Sequence, residues 1–314
     1  MGRLPPMCTG HRREAHSTDH RPTAAGPVRA GRKVNTVSSD AAAGRSDEER
    51  TRPYSIRDLG RMKERGERFS MLTAYDHPTA AILDAAGIPV ILVGDSVGDN
   101  VLGYDSTVPV TLDEMLHHTA AVVRGAPNTI VVADLPFGTY QVGVDDGLRA
   151  GIRLLKEGGA NAIKAEGAGP VVEFARRSVA MGMPFMGHLG LTPQSVNQLG
   201  YRVQGRDDAS ARRLLEDAKA LEEAGAFALV LEAVPSELAR EVSEQLTIPT
   251  IGIGAGPHCD GQVLVLHDLL GVSPRPAPRF AKTYVDLRSV MLDAVKMFQS
   301  EVAHGEFPDE DHSY

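Results

Sequence analysis

The chain has 314 residues, 42% of them apolar and 24% charged, and a formal net charge of −8. That is globular composition, with length for one barrel-sized core or two smaller ones, and the negative balance excludes nonspecific nucleic-acid binding by the whole surface. No apolar run approaches the roughly 20 residues that span a bilayer, and the two cysteines, Cys8 and Cys259, form neither a disulfide framework nor a zinc spacing, so a reducing, cytoplasmic setting is expected.

Residues 1–52 are rich in Arg, Pro, Gly, Ser and His and lack apolar periodicity. They carry ten Lys/Arg against six Asp/Glu, which leaves −12 on the remainder. A secretory leader needs an apolar core that is missing here, and Asp47-Glu48-Glu49 argue against a transit peptide. A disordered N-terminal tail is expected over 1–52, then a catalytic barrel over 53–308 and a short C-terminal tail over 309–314.

Ser55 to Gly66 reads as a short amphipathic helix that caps the domain, with Ser55 as N-cap and Gly66 as stop. Short apolar runs then recur eight times: Ser70–Tyr75, Val90–Val93, Ile130–Ala133, Ala162–Ala165, Phe185–Gly187, Ala228–Leu231, Thr250–Ile253 and Val263–Leu266. Helical patterns separate most of them, at Thr111–Arg124, Asp145–Gly158, Pro170–Gly182, Asp208–Gly225 and Ser236–Leu246. Thr111-Leu-Asp-Glu114 is a capping sequence, and several of these stretches end in Gly. The gap between the seventh and eighth runs is too short for a full helix, and a long final helix covers Val285–His304. Strand and helix alternating over about 250 residues predict a (β/α)8 TIM-type barrel with an N-terminal capping helix and a long C-terminal helix. An open doubly wound sheet fits less well, because Thr73-Ala-Tyr-Asp76 stands where its Gly-rich fingerprint would be.

The strand ends are unusually polar. The second run ends in Gly94-Asp95-Ser96 and the third in Asp134; the fourth carries Lys164 and Glu166, the fifth ends in His188 and the sixth in Glu232. Alternation puts Lys164 and Glu166 on one face of their strand, which reads as an adjacent ion pair, either structural or catalytic. In a barrel all these ends meet at one mouth, where active sites are built. Asp95, Asp134 and Glu166 are hard oxygen donors without Cys or clustered His, a set that suits Mg²⁺ better than Zn²⁺. A half-filled Mg²⁺ site favours a bidentate oxygen ligand such as a 2-oxo acid, whose enolate the metal and Lys164 would stabilise. Glu232, expected to be buried among its apolar neighbours Val230, Leu231, Ala233 and Val234, is the candidate base for a carbon-bound proton; a rim partner for an Arg is the structural alternative. Ser96 is placed to hold the substrate carboxylate. His188 either bonds the substrate or a neighbouring carboxylate, or is structural. Gly252-Ile-Gly-Ala-Gly256 is either a phosphate loop or close backbone packing, and Tyr75 and Asp76 read as structural.

Taken together, Leu72–Asp76, Val93–Ser96, Leu102–Glu114, Ala133–Gly138, Gly187–Gln194, Ile251–Gly256 and Cys259–Val265 closely resemble the ketopantoate hydroxymethyltransferase family, over about Ser55 to Pro308. The resemblance implies Mg²⁺-dependent transfer of a one-carbon unit from 5,10-methylenetetrahydrofolate to 3-methyl-2-oxobutanoate, giving 2-dehydropantoate on the route to pantothenate. It puts metal ligation on Asp95, Asp134 and Glu166, substrate contacts on Asp95, Ser96, Asp134 and Lys164, and the proton acceptor on Glu232. It also implies a homo-oligomer, a decamer in the family; net charge and the short apolar runs lead to the expectation of no nucleic-acid or membrane partner. Departures are Asp99 and Ala165, where apolar and Leu residues are more familiar, and His258 in a variable loop. A Mg²⁺-dependent 2-oxo-acid lyase on a similar barrel is the competing enzyme reading, separated by folate dependence. A non-catalytic metabolite-binding barrel would have no use for Glu232.

Overall fold

The computed structural model describes residues 52–200, 202–273 and 275–314. The expected disordered tail lies outside the described residues, save for Arg52. The chain enters the fold through α1 (Ile56–Glu64), whose first turn is closed by Asp58 accepting the Ser55 N–H and hydroxyl, each at 2.8 Å. Its buried Leu59 and Met62 join the interior residues Phe69, Met71, Val90, Ile130 and Ala162, so α1 plugs the floor of the barrel as its sequence predicts.

Among the described residues eight parallel strands close into a barrel in sequence order. They are β1 (Phe69–Thr73), β2 (Val90–Val93), β3 (Ile130–Asp134), β4 (Ala162–Glu166), β5 (Phe185–Gly190), β6 (Ala228–Glu232), β7 (Thr250–Ile253) and β8 (Gly261–Leu264). Outside them lie α2 (His77–Ala85), α3 (Leu112–Gly125), α4 (Val144–Lys156), α5 (Pro170–Ala180), the short α6 (Val196–Leu199), α7 (Asp208–Glu223), α8 (Ser236–Gln245), α9 (Leu266–Leu270) and α10 (Leu287–His304). Two cores result. One fills the barrel; the larger lies between strands and helices, around Leu154, Phe174 and Leu221. No helix among the described residues is long and apolar enough to cross a membrane.

Several elements depart from the sequence expectation, the short α6 among them. The helix α2 was not foreseen; Asp76 caps it by accepting the Thr79 N–H at 2.8 Å, and Pro78 opens it. β8 begins two residues earlier than its apolar run, because Gly261 and Gln262 pair with Phe69 and Ser70 while Leu266 already belongs to α9. The segment Gly98–Leu102 forms one π-helical turn just past β2. The long C-terminal helix exists as expected but buries none of its residues, and Glu310–His312 form a single 3-10 turn in the short C-terminal segment.

Candidate active site

The two-residue period of a strand carries the barrel interior upward into charge. The inward rows run Ile130, Val132, Asp134 on β3; Ala162, Lys164, Glu166 on β4; Met186, His188 on β5; and Ala228, Val230, Glu232 on β6. Strand register then decides who meets whom. Asp134 stands opposite Lys164, and Glu166 opposite His188. Lys164 Nζ donates to Asp134 Oδ1 at 2.7 Å, with the two side chains only 4% and 5% accessible. His188 lies between two acids, its Nδ1 3.3 Å from Glu166 Oε1 and its Nε2 3.3 Å from Glu232 Oε2. Lys164 and Glu166 do share a face, but the expected ion pair between them is not the one that forms. Residues two apart along a strand are separated by about 7 Å, whereas register partners on neighbouring strands sit about 5 Å apart.

Asp95 joins this layer from the turn after β2. Its N–H donates to Asp134 Oδ2 at 3.2 Å, and its Oδ2 accepts from Gln194 Nε2 at 2.8 Å. Gly94 makes that approach feasible: a Cβ there would lie 2.7 Å from Ser96 Oγ and 3.4 Å from Asp134 Oδ2. Ser96 and Asp134 thus flank the same glycine. Ser96 Oγ also shares a 2.8 Å hydrogen bond with the Tyr75 hydroxyl, so Tyr75 positions a predicted substrate contact.

The electrostatics of this layer are strained toward negative charge. Burial pushes the Asp95 carboxyl well above its ordinary range, and the Asp134 and Glu166 carboxylates push it further. Asp134 is also raised by burial, with Lys164 pulling against it. Burial opposes ionisation of Glu166 as well, but His188 and Lys164 outweigh it and hold the carboxyl below its usual value. Burial and Lys164 both work against the His188 imidazolium; Glu166 and Glu232 more than offset them and raise its pKa to about 9. Lys164 stays charged, burial being outweighed by Asp134, Glu166 and Asp95.

Sequence reasoning missed Gln194 and Tyr140. The buried Gln194 amide spends every hydrogen-bonding site: Nε2 donates to Asp95 and to the Leu135 carbonyl, and Oε1 accepts from Tyr140 Oη at 2.7 Å and Gln141 Nε2 at 2.9 Å. Its own N–H donates to Glu166 Oε2 at 3.0 Å. Tyr140 Oη in turn accepts the Glu166 N–H at 3.1 Å. The available signal was the end of the motif Gly187–Gln194, where a neutral amide drew less notice than the acids. The Gly252–Gly256 loop resolves as close packing. Gly254 and Gly256 have φ of 62° and 78°, and a Cβ on either would run into Phe280 or Ser236.

Above the charged layer lies a cavity of ≈ 470 Å³, with Ser96 and Glu232 on its inner wall. Glu232 is less enclosed than its apolar neighbours implied, its side chain 16% accessible. Asp95, Asp134, Lys164 and Glu166 sit behind that wall and are buried. Among the described residues no three acid, imidazole or thiol groups already stand in metal-holding geometry. The donor set nevertheless fits a hard dication: three buried oxygen donors repel one another across a single ammonium, and bound Mg²⁺ would relieve that repulsion.

Comparison with known proteins adds the following. A sequence profile of the ketopantoate hydroxymethyltransferase family matches residues 53–310. The chain is 55% identical over 261 residues to a 3-methyl-2-oxobutanoate hydroxymethyltransferase of Carboxydothermus hydrogenoformans, covering 83% of this chain and 95% of that one. It is 57% identical over 257 residues to the enzyme of that name from Moorella thermoacetica, covering 82% and 96%. Among solved structures, a phosphonopyruvate hydrolase complex with oxalate and Mg²⁺ superposes with a TM-score of 0.54 at 12% identity, over 82% of this chain and 93% of that one. A 2,3-dimethylmalate lyase of the PEP mutase/isocitrate lyase superfamily gives 0.51 at 17% identity, over 82% and 91%. Those two likenesses concern the barrel alone.

Proposed function

The chain belongs to the ketopantoate hydroxymethyltransferase family, and we propose that it transfers the one-carbon unit of 5,10-methylenetetrahydrofolate to 3-methyl-2-oxobutanoate, with Mg²⁺, to give 2-dehydropantoate. The observation that carries this reading is the charged layer, Asp134–Lys164 and Glu166–His188–Glu232, beneath an open cavity.

In this reading Asp95 and Asp134, with Glu166, would hold Mg²⁺, which supplies a Lewis acid at the ketone end of the substrate. Lys164, anchored by Asp134, adds positive charge at the same end. Ser96 Oγ, held by Tyr75, donates to the substrate carboxylate. Glu232, on the cavity wall, accepts the proton from C3. His188, its Nε2 3.3 Å from one Glu232 oxygen, would bias the direction in which the base points. The electron pair left at C3 forms the new bond to the methylene carbon. Both carbon–nitrogen bonds to that carbon break in the course of the transfer, and water supplies the hydroxyl oxygen. Tyr140 and Gln194 brace the acids from behind without reaching the cavity.

We place the reaction in the cytoplasm, given only two cysteines in the whole chain. Self-association is part of the proposal and is supported by α10, on which Val295, Met297 and Phe298 stand exposed. Light scattering on an eluting column peak checks it, and a monomer mass rejects it. The activity itself is tested by steady-state assay of 2-dehydropantoate with both substrates, with and without Mg²⁺. Product that needs the folate and the metal is expected; product formed equally well without the folate rejects the donor.

A further inference from the structure

The reaction just proposed uses only the inner wall of the cavity, Ser96 and Glu232. A volume of ≈ 470 Å³ is the size that holds a drug-sized ligand, and a short branched oxo acid would leave most of it empty. The outer wall has a different character. Val203, Pro276, Pro278 and Phe280 make it apolar, Arg202 and Arg275 give it two cations, and the acids Asp99 and Asp268 line the same cavity nearer β2 and α9.

Phe280 is held in place by the loop after β7. Gly254 has a φ of 62°, and a Cβ there would lie 2.9 Å from the ring. A glycine at this point therefore lets an aromatic face lie over the mouth, which gives the Gly-rich loop a role that phosphate binding does not. Both guanidiniums are poorly engaged. Among the described residues Arg202 forms no ion pair. Arg275 reaches the Tyr104 carbonyl at 3.5 Å and the fully exposed Asp105 at 3.9 Å, contacts too long and too wet to hold it. Arg275 also acts at longer range on Asp99; among the described residues neither guanidinium has a close ion pair, and these two rim cations are the groups that would meet the charged end of an anionic ligand.

We propose that this outer half is the binding site of the one-carbon donor, its flat ring system lying against Phe280 and Val203 and its glutamate carboxylates meeting Arg202 and Arg275. The proposal rests on the donor being a reduced folate, as read above. The orientation follows from the chemistry at each end. The methylene carbon must reach the inner wall, where Glu232 exposes C3 of the oxo acid. The dianionic tail must remain at the solvent rim, where charge costs least to keep. Aromatic contact suits the middle of the molecule, between the two.

The test is donor kinetics in Arg202→Gln, Arg275→Gln and the double variant, with 5,10-methylenetetrahydrofolate and with its analogue lacking the glutamate, 5,10-methylenetetrahydropteroate. The KM for the full donor is expected to rise about tenfold per arginine, as for loss of one exposed charge-assisted contact. The KM for the oxo acid should stay as in the parent. With the truncated donor, parent and variants should behave alike. An unchanged donor KM in the double variant overturns the site, and so does an equal rise with both donors. A parent enzyme that turns over neither donor rejects the reaction itself. Because donor-independent exchange of the C3 proton proceeds without any folate, that failure is distinguishable from failure of the site.

Discussion

At the floor of the barrel each buried acid is matched by donors. Asp58 accepts from Arg52 at 2.7 and 2.9 Å and from the Ser55 hydroxyl and N–H, and the Arg52 guanidinium holds its carboxyl well below the usual range. Asp260 accepts from Lys63 Nζ and from the Thr250 N–H, both at 2.8 Å, and from the Thr250 hydroxyl at 3.0 Å. At the mouth the balance reverses. Asp95, Asp134 and Glu166 share one lysine and one histidine; His188 holds Glu166 down, but Asp95 and Asp134 are pushed up. The same residue type stabilises the fold at one end and is held at a disadvantage at the other. On the proposed reading the site would carry that disadvantage until a cation and substrate arrive, which is where stability and activity would part company.

Removing charge at each end should therefore have opposite effects. Asp95→Asn keeps an oxygen for Gln194 Nε2 but deletes a repelled carboxylate. Turnover should fall by orders of magnitude and Mg²⁺ affinity with it, measured by calorimetry, while the melting temperature holds or rises. A lower melting temperature with unchanged metal affinity would erase the contrast. Gln194→Ala, which strands Asp95 and the Tyr140 hydroxyl, should cost about 1–3 kcal/mol in denaturant unfolding and lower turnover about tenfold, through acids it never replaces. At the floor, Lys63→Met leaves Asp260 without its cation; about 1–2 kcal/mol of stability should go with kcat intact.

The smallest effect belongs to Asp58→Asn, which weakens the cap of α1 by about 1 kcal/mol near neutral pH. Its sign is set by linkage. A carboxyl whose folded pKa is depressed contributes stability above its unfolded value near 3.8, lost as pH falls below it. The gap in melting temperature between parent and Asp58→Asn should thus narrow as pH drops below about 4. A gap that stays constant with pH would mean that the ion pair with Arg52 adds nothing.

Much of this was legible in the sequence because strand periodicity is a local property. Alternation alone puts Lys164 and Glu166 on one face, and the polar strand ends point to Asp95, Asp134, His188 and Glu232. What escaped were matters of register and of loops. The partner of Lys164 is fixed by how β3 lies beside β4, which no single strand encodes. His188 lies between two acids because β4 sets Glu166 opposite it while β6 carries Glu232 one inward position further toward the mouth. Gln194 acts from the single 3-10 turn Pro193–Ser195 after β5, through an amide that resembles any surface glutamine in composition. α2 was missed because its sequence, His77-Pro-Thr-Ala-Ala-Ile-Leu-Asp-Ala85, lacks a polar face of its own. The burial of Glu232 was overread from its apolar neighbours, since the residues beside it in sequence point the other way.

The central claim is that the mouth separates its tasks, the Asp95–Asp134–Glu166 end holding the oxygens of the substrate and Glu232 taking the proton from carbon. Exchange of the C3 proton of 3-methyl-2-oxobutanoate into deuterated water, followed by NMR without any folate, reads that step alone. With Mg²⁺ present, the parent enzyme should exchange the proton, and Glu232→Gln should exchange it about 10²–10⁴-fold more slowly while still binding the oxo acid. Exchange at the parent rate in Glu232→Gln would contradict the assignment and move the base to His188.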